Sequence, residues 1–348
     1  LKNRLQTFKG VVTTLNTQSR FIVNKSVFSN NSFSDSNKVV DITTTSSASS
    51  GTYSLIVNNL ATESKLITSG YAETTTSIAS GTVTIVIGSS ASATVTINST
   101  NNTLDGLRLA VNNLGLDVKA SFLNDGDTTN PYRLLISGTQ TGSSGTVTMS
   151  HDTTRTMFHA PQVGVSFETT QTARDASLSL DGVSITKSSN TVTDVISGAA
   201  LKLQSAGSGT ISLSTDTEAI TTKVSDFVDE YNDLSLFLGE QLALDSETEE
   251  TGVLFGNFAV QNLQQILRSS ISSEVTGISG DYTYLSQIGI TTQSDGTIIL
   301  DTDDFSDALV GDIENVSQLF SSNGSVTNSS VAYVGFTSDT EPGYYDIQ

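Results

Sequence analysis

SLSLDGVSITKSSNTVTDVISGAALKL, residues 177–203, decides how the chain is read. Residues 178–180 and 183–186 are short strands, and Asp181-Gly182 between them is the two-residue turn whose backbone matches the twist of paired strands. The following SSNTVTDVISGA reads as a single helical turn: Asn190 or Thr191 caps it, Val192, Val195 and Ile196 share one side, and Gly198 stops it. An imperfect copy lies upstream, where Thr96-Ile97-Asn98 leads through STNNT to Leu104, Leu107 and Val111. A duplicated strand, cap and helix unit is therefore expected.

Working outward, the stretches VVDITT and TYSLIV between residues 39 and 68 alternate with the period of strands. Residues 71–80 are small and polar and lead into a second module. There TVTIVIG and ATVTIN pair across Ser89 to Ala93, a helix runs from about Thr103 to Leu114, and the strands VKASFLND and YRLLISG follow. Pro161 and the polar run around it mark the return to the first β module.

Helical periodicity governs both flanks. Leu1, Leu5, Phe8, Val12, Leu15 and Ile22 step by four, three, four, three and seven, a heptad seam. It serves either an amphipathic helix packed on its own domain or a coiled coil with a partner helix. Ile220, Val224, Phe227, Tyr231, Leu234 and Leu238 form a second seam behind Asp216 or Thr217 as cap. A further helix carries Val260, Leu263, Ile266, Leu267 and Ile271, and the hairpin IGITTQSDGTIIL turns at Ser294-Asp295-Gly296. Short acidic helices then hold Phe305, Leu309, Val316, Leu319 and Phe320. The seam residues, Leu1 to Leu15 and Ile220 to Leu238, are the candidates for helix packing or self-association.

Composition excludes several kinds of chemistry. Acidic residues outnumber basic ones 36 to 16, for a formal charge of −20, so phosphate backbones are repelled and nucleic acid is excluded as a partner. No run approaches the roughly 20 apolar residues of a membrane span, so no insertion is expected. Without cysteine there are no disulfides, thiolate metal sites or cysteine nucleophiles. His151 and His159, eight apart, make a poor zinc site, and no G-x-S-x-G elbow or phosphate-binding loop accompanies them. The densest carboxylates are Asp125 with Asp127, Asp301 with Asp303 and Asp304, and Glu247 with Glu249 and Glu250. A glycosidase pair needs two carboxyls across one sugar and usually aromatic platforms, and the chain has no Trp. Calcium suits such loops, yet LNDGDTTN is also an ordinary hairpin turn and DTDDFSD an ordinary acidic helix start. No catalytic residue, metal or cofactor is expected.

DGVSITKSSNTVTDVISGAALKL is similar to a motif of bacterial flagellins and, more closely, of the flagellar filament cap family, also called hook-associated protein 2. SSGTYSLIVNNLAT at 49–62 and LSQIGITTQSDGTIILD with its following helices at 285–320 resemble the same family in the same order. The resemblance implies a multi-domain α+β fold: a helical leg domain with flagellin-like coiled helices, and two β-rich plate domains, the second inserted in the first. Residues 1–38 and 213–322 fall to the leg, 39–70 and 163–212 to a β domain, 71–162 to the inserted α+β domain, and 323–348 to the start of a further β segment. The implied chain is a fragment lacking both terminal regions, including the C-terminal partner of the first helix.

The resemblance also implies a function. Cap proteins form a ring of several subunits at the extracellular tip of the filament, and each exported flagellin folds beneath the plate. Flagellin and further copies of the chain are the implied partners, with junction proteins and host mucus or glycan beside them. Export runs unfolded, which a chain free of disulfides permits. The alternative is a β-rich surface adhesin binding mucus or glycan, which would lack the helical leg.

Overall fold

The computed structural model describes residues 1–30, 38–89, 91–153, 164–244, 250–278, 280–321, 331 and 345–346. In chain order the elements open with helices α1 (Lys2–Leu15) and α2 (Gln18–Phe21), then strands β1 (Asn24–Asn30), β2 (Val40–Thr44), β3 (Gly51–Asn59) and β4 (Glu63–Thr68). Next come β5 (Gly81–Ile87), β6 (Ala91–Ile97), α3 (Leu104–Asn112), β7 (Val118–Asn124), β8 (Tyr132–Thr141) and β9 (Val147–Thr153). Strands β10 (Phe167–Gln171), β11 (Ala176–Leu180), β12 (Val183–Lys187), β13 (Thr191–Ile196), β14 (Ala199–Leu203) and β15 (Gly207–Thr215) follow. The chain continues through α4 (Thr217–Leu242), α5 (Phe258–Ser272), β16 (Ile290–Thr292), β17 (Ile298–Leu300) and α6 (Thr302–Phe320).

Two units divide these elements. Leu1–Lys25, Thr44–Ser50 and Leu213–Gln348 make the first, and Ser26–Thr43 with Gly51–Ser212 the second. Residues 26–30 and 38, assigned from the sequence to the helical segment, belong with the second unit, because β1 hydrogen-bonds to β15 at the edge of a sheet.

The second unit is β-rich. Its five-stranded sheet has the order β1-β15-β3-β11-β12, a three-stranded one β13-β14-β2, and two others β10-β4-β8-β7 and β6-β5-β9. The β11–β12 hairpin forms as its sequence dictates: Asp181 and Gly182 both take positive φ, 49° and 82°, the type I′ geometry that follows strand twist. Helix α3 also forms where expected. Thr103 Oγ1 accepts from the Gly106 N–H at 3.0 Å, and Leu104, Leu107 and Val111 are buried with Val83, Ile85, Leu134 and Ile136.

The expected helical turn at SSNTVTDVISGA is not there. Residues 191–196 are strand β13, paired antiparallel with β14 through the Gly198 turn, where φ is 72°. Thr191, Val192, Thr193, Val195 and Ile196 are β-branched and suit a pleated surface. The intended cap is also occupied elsewhere: the Asn190 side chain binds the backbone of Ala61. Only the upstream copy of the supposed duplication carries a helix, so the duplication does not hold.

The first unit is helical. The seam from Leu1 does not run on to Ile22: α1 ends at Leu15, Thr17 is extended, and α2 begins a new direction, with Arg20 Nη1 donating to the Thr13 carbonyl at 3.0 Å. Phe21 is nevertheless fully buried and stacks on Phe320 with centroids 5.3 Å apart. The β16–β17 hairpin is pinned to α4 by two polar residues within its length. Asn232 exchanges hydrogen bonds with the Ile298 backbone, both 2.8 Å, and Ser235 Oγ donates to the Gly296 carbonyl at 2.9 Å. The acidic helices after it are α6, kinked at Asp312, whose carboxylate accepts from the Asn315 N–H at 2.9 Å and so caps the second half. The further β segment expected at 323–348 lies outside the described residues except for Val331, Tyr345 and Asp346.

Candidate functional site

The two helical seams meet. Helix α4 is capped by Asp216, whose carboxylate accepts from the Ala219 N–H at 3.2 Å, with Glu218 in its first turn. Its 3-4 spacing then puts Ile220, Val224, Phe227, Tyr231, Leu234 and Leu238 on one buried stripe. Helix α1 lies along that stripe. Phe8 packs on Phe227 and Tyr231 with centroids 5.7 and 6.2 Å away, Val12 is partly buried in the same core, and Leu15 is buried. Leu5 joins Leu234, Leu238 and Val260 in a second cluster at the other end of the pair, whereas Leu1 stays 38% exposed. Arg4 closes that end, ion-paired with Asp233 and lying 4.8 Å over the Phe237 ring.

These seam residues therefore pack within one chain, and only Leu1 of the set is exposed. Tyr231 carries a cost into that packing. Among the described residues its buried hydroxyl meets no partner in good hydrogen-bond geometry; burial raises its pKa above the usual phenol value, opposed by the Arg268 charge and the nearby Ser235 side chain.

The carboxylate groups are engaged in local structure. The Arg133 guanidinium, 2.5 Å away, holds the Asp125 carboxyl below the usual carboxylate range, and the Asp127 N–H adds to it. Asp127 is likewise lowered by accepting from the N–H groups of Asn130 and Thr129 at 2.7 and 2.8 Å. Asp301 caps α6, accepting from the Asp303 and Asp304 N–H groups at 3.0 and 3.1 Å. Glu247 and Glu249 lie outside the described residues. Among the described residues no three His, Cys, Asp or Glu side chains are grouped to hold a metal, and no helix is long and apolar enough to cross a membrane.

His151 sits on β9 opposite Val83 of β5, and His159 lies outside the described residues. The imidazole Nδ1 accepts from the Val165 N–H at 3.0 Å, so the proton of the neutral ring is on Nε2, which is buried near the Ala79 backbone with no partner in good geometry among the described residues. Burial pushes the His151 pKa below its ordinary value, with the Asp152 carboxylate opposing. This geometry fixes a strand rather than activating a nucleophile.

One feature escapes sequence reading. Thr13, Thr14, Ser19, Arg20, Thr44 and Lys223 line an open cleft of about 720 Å³ in the first unit, floored by Ile22 and Val23. No spacing rule links residue 20 to residue 223, and the chain crossing that joins them exists only in the fold.

Comparison with known proteins follows this architecture along the chain. The profiles described as flagellar hook-associated protein 2 N-terminus and C-terminus match residues 1–64 and 173–342. Flagellar hook-associated protein 2 of Escherichia coli K12 is 31% identical over 340 residues, covering 92% of this chain and 72% of its own length. The B-type flagellar hook-associated protein 2 of Pseudomonas aeruginosa is 29% identical over 344 residues, covering 92% and 70%. The crystal structure of the D1–D2–D3 domains of the flagellar cap protein FliD from Escherichia coli superposes with a TM-score of 0.72 at 31% identity, covering 91% of this chain and 87% of that one. These relatives lend no support to the surface-adhesin alternative.

Proposed function

The chain belongs to the flagellar hook-associated protein 2 family of flagellar cap proteins, and on that premise we propose that it caps the distal, extracellular tip of the bacterial flagellar filament. Several copies assemble into a ring, and exported flagellin folds and inserts beneath it. The role is mechanical, with no reaction catalysed. The observation that carries this reading is the build of the chain itself, a helical unit assembled from sequence segments that flank a β-rich unit, together with its superposition over 91% of its length on the D1–D2–D3 cap structure.

On this reading the first unit is the leg that touches the filament, stiffened by the α1–α4 seam, and the second is the plate. Within the plate, an α+β domain is inserted in the β domain, and its bounds are wider than the sequence alone gives: β4 (Glu63–Thr68) and β10 (Phe167–Gln171), assigned from the sequence to the outer β domain of 39–70 and 163–212, lie in one sheet with β7 and β8 of the insert. The test is to express the tagged protein with its natural termini in a strain lacking its own copy and to locate it by electron microscopy. Label at distal tips with filament growth restored is the expected result. Label along the filament wall or on the cell body would overturn it.

A further inference from the structure

With 36 acidic and 16 basic residues, each copy repels every other at neutral pH. A ring of such chains needs places where the repulsion is locally reversed. Cations that already face their own chain's acids are unsuited to that task. Arg4, Lys25, Lys38, Lys65, Arg108, Arg133 and Lys187 all form intrachain ion pairs.

Lys2, Lys9, Arg20, Lys119, Arg174, Lys202, Lys223 and Arg268 stand outside those pairs, and of these Arg20 and Lys223 come together in one cleft. They share the cleft of the first unit, and neither has a carboxylate within ion-pair distance among the described residues. Both are held in place by uncharged acceptors. Arg20 Nη1 donates to the Thr13 carbonyl at 3.0 Å and the Asn16 Oδ1 at 3.1 Å, while Lys223 Nζ donates to the Arg20 carbonyl at 2.5 Å. Arg20 keeps Nε and Nη2, and Lys223 keeps two ammonium hydrogens, for something else. Burial lowers the Lys223 pKa, as for a cation short of compensating charge. The hydroxyls of Thr14 and Thr44 are already spent on the Val11 and Asn24 carbonyls, and the rest of the wall is largely apolar, so the two cations are the charged groups of the cleft.

We propose that this cleft is a carboxylate socket for a second copy of the chain, in which Arg20 and Lys223 together hold an Asp or Glu side chain of the neighbouring subunit. A planar carboxylate fits the Arg fork, and the adjacent ammonium adds charge at little cost in ordering because it is already positioned. The neighbour has donors to offer: Asp303, Asp304 and Asp307 stand exposed on α6, and no cation of their own chain pairs with them among the described residues. The socket rests on the ring reading above, and its test separates the two.

Copies labelled with ¹⁵N are mixed with unlabelled copies, and a carbodiimide condenses ammonium groups with carboxylates in contact. Mass spectrometry should find mixed-isotope cross-links at Lys223, reduced by Arg20→Glu. Sedimentation should show the double variant Arg20→Glu, Lys223→Glu associating at least about tenfold more weakly than the native chain, with circular dichroism unchanged. Native association that survives the double reversal, or Lys223 cross-links within single copies only, would overturn the socket and leave the ring standing. A native chain that stays monomeric at every concentration would sink the ring reading and the socket with it.

Discussion

Asn190 clasps Ala61 with both arms of its amide: the Ala61 N–H donates to Oδ1 at 2.7 Å, and Nδ2 donates to the Ala61 carbonyl at 2.9 Å. The bond joins the loop before β13 to the loop after β3, 129 positions apart in the chain. Asn190→Ala leaves both backbone groups of Ala61 unpaired and should cost about 2 kcal/mol. Urea titration of the native and altered chains measures it. A change within about 0.5 kcal/mol would mean that water replaces the clasp without loss.

Tyr231 should respond in opposite directions to two substitutions. Phenylalanine keeps the ring contact with Phe8 and removes a buried hydroxyl that has only the Ser235 side chain near it and no partner in good geometry among the described residues, so Tyr231→Phe should be neutral or stabilising by up to about 1 kcal/mol. Tyr231→Ala empties the core beneath α1 and should cost about 3–5 kcal/mol. Thermal melts rank the three chains. A destabilised phenylalanine variant would reveal a partner for the hydroxyl.

Phe8 is the principal link between α1 and α4, bridging Phe227 and Tyr231. Phe8→Ala should cost about 2–3 kcal/mol, less than for a fully buried ring because Phe8 is only partly enclosed. Hydrogen exchange should then show protection lost over Lys2–Leu15 while β11 and β12 keep theirs. Loss spread evenly over the chain would contradict the separate packing of the two units.

His151 predicts a pH dependence in the second unit. Its folded pKa is depressed below 6.5, so the unfolded chain binds the proton first as pH falls. The stability that its neutral ring provides is complete above the unfolded pKa and is lost as pH drops below it, through the interval down to the folded value. Protonation also removes the acceptor at Nδ1 for the Val165 N–H. The native chain should lose up to about 1.4 kcal/mol per pH unit in that interval, and His151→Gln should flatten the slope. Urea midpoints at pH 7.5 and pH 5 provide the comparison, and equal slopes would dismiss His151 as the source.

Local rules decided the elements that the sequence made legible. Asp181-Gly182 needs no tertiary help to turn, Thr103 caps α3 through its own neighbour, and the stripe from Ile220 to Leu238 is a matter of spacing. The misreading at 191–196 has an equally physical cause. Asn190 is as good a cap as Thr103, but Ala61 claims its side chain, and Lys187 draws Asp194 into an ion pair at 2.6 Å across the β12–β13 turn. Neither partner is visible from the run itself. The break at Asn16-Thr17 was hidden for a similar reason, since Phe21 and Ile22 remain in the core whether or not the helix continues. The seam was readable because it obeys a period, and the Arg20–Lys223 cleft was not, because it depends on which segments cross.

The strand pair β1–β15 holds together the two chain segments from which the helices α1 and α4 depart. Helices α1 and α4 are joined at their base where the chain segments around 23 and 216 lie side by side, the Asp216 N–H donating to the Val23 carbonyl at 2.8 Å. Closing a loop of roughly 190 residues in an open chain costs about 5 kcal/mol of entropy, and a helix pair without other help would form slowly. Once β1 has paired with β15, most of that search has been made. A lesion in β1 should therefore slow formation of the helical unit more than it weakens the finished structure, and stopped-flow refolding of a β1 variant against the native chain measures the difference.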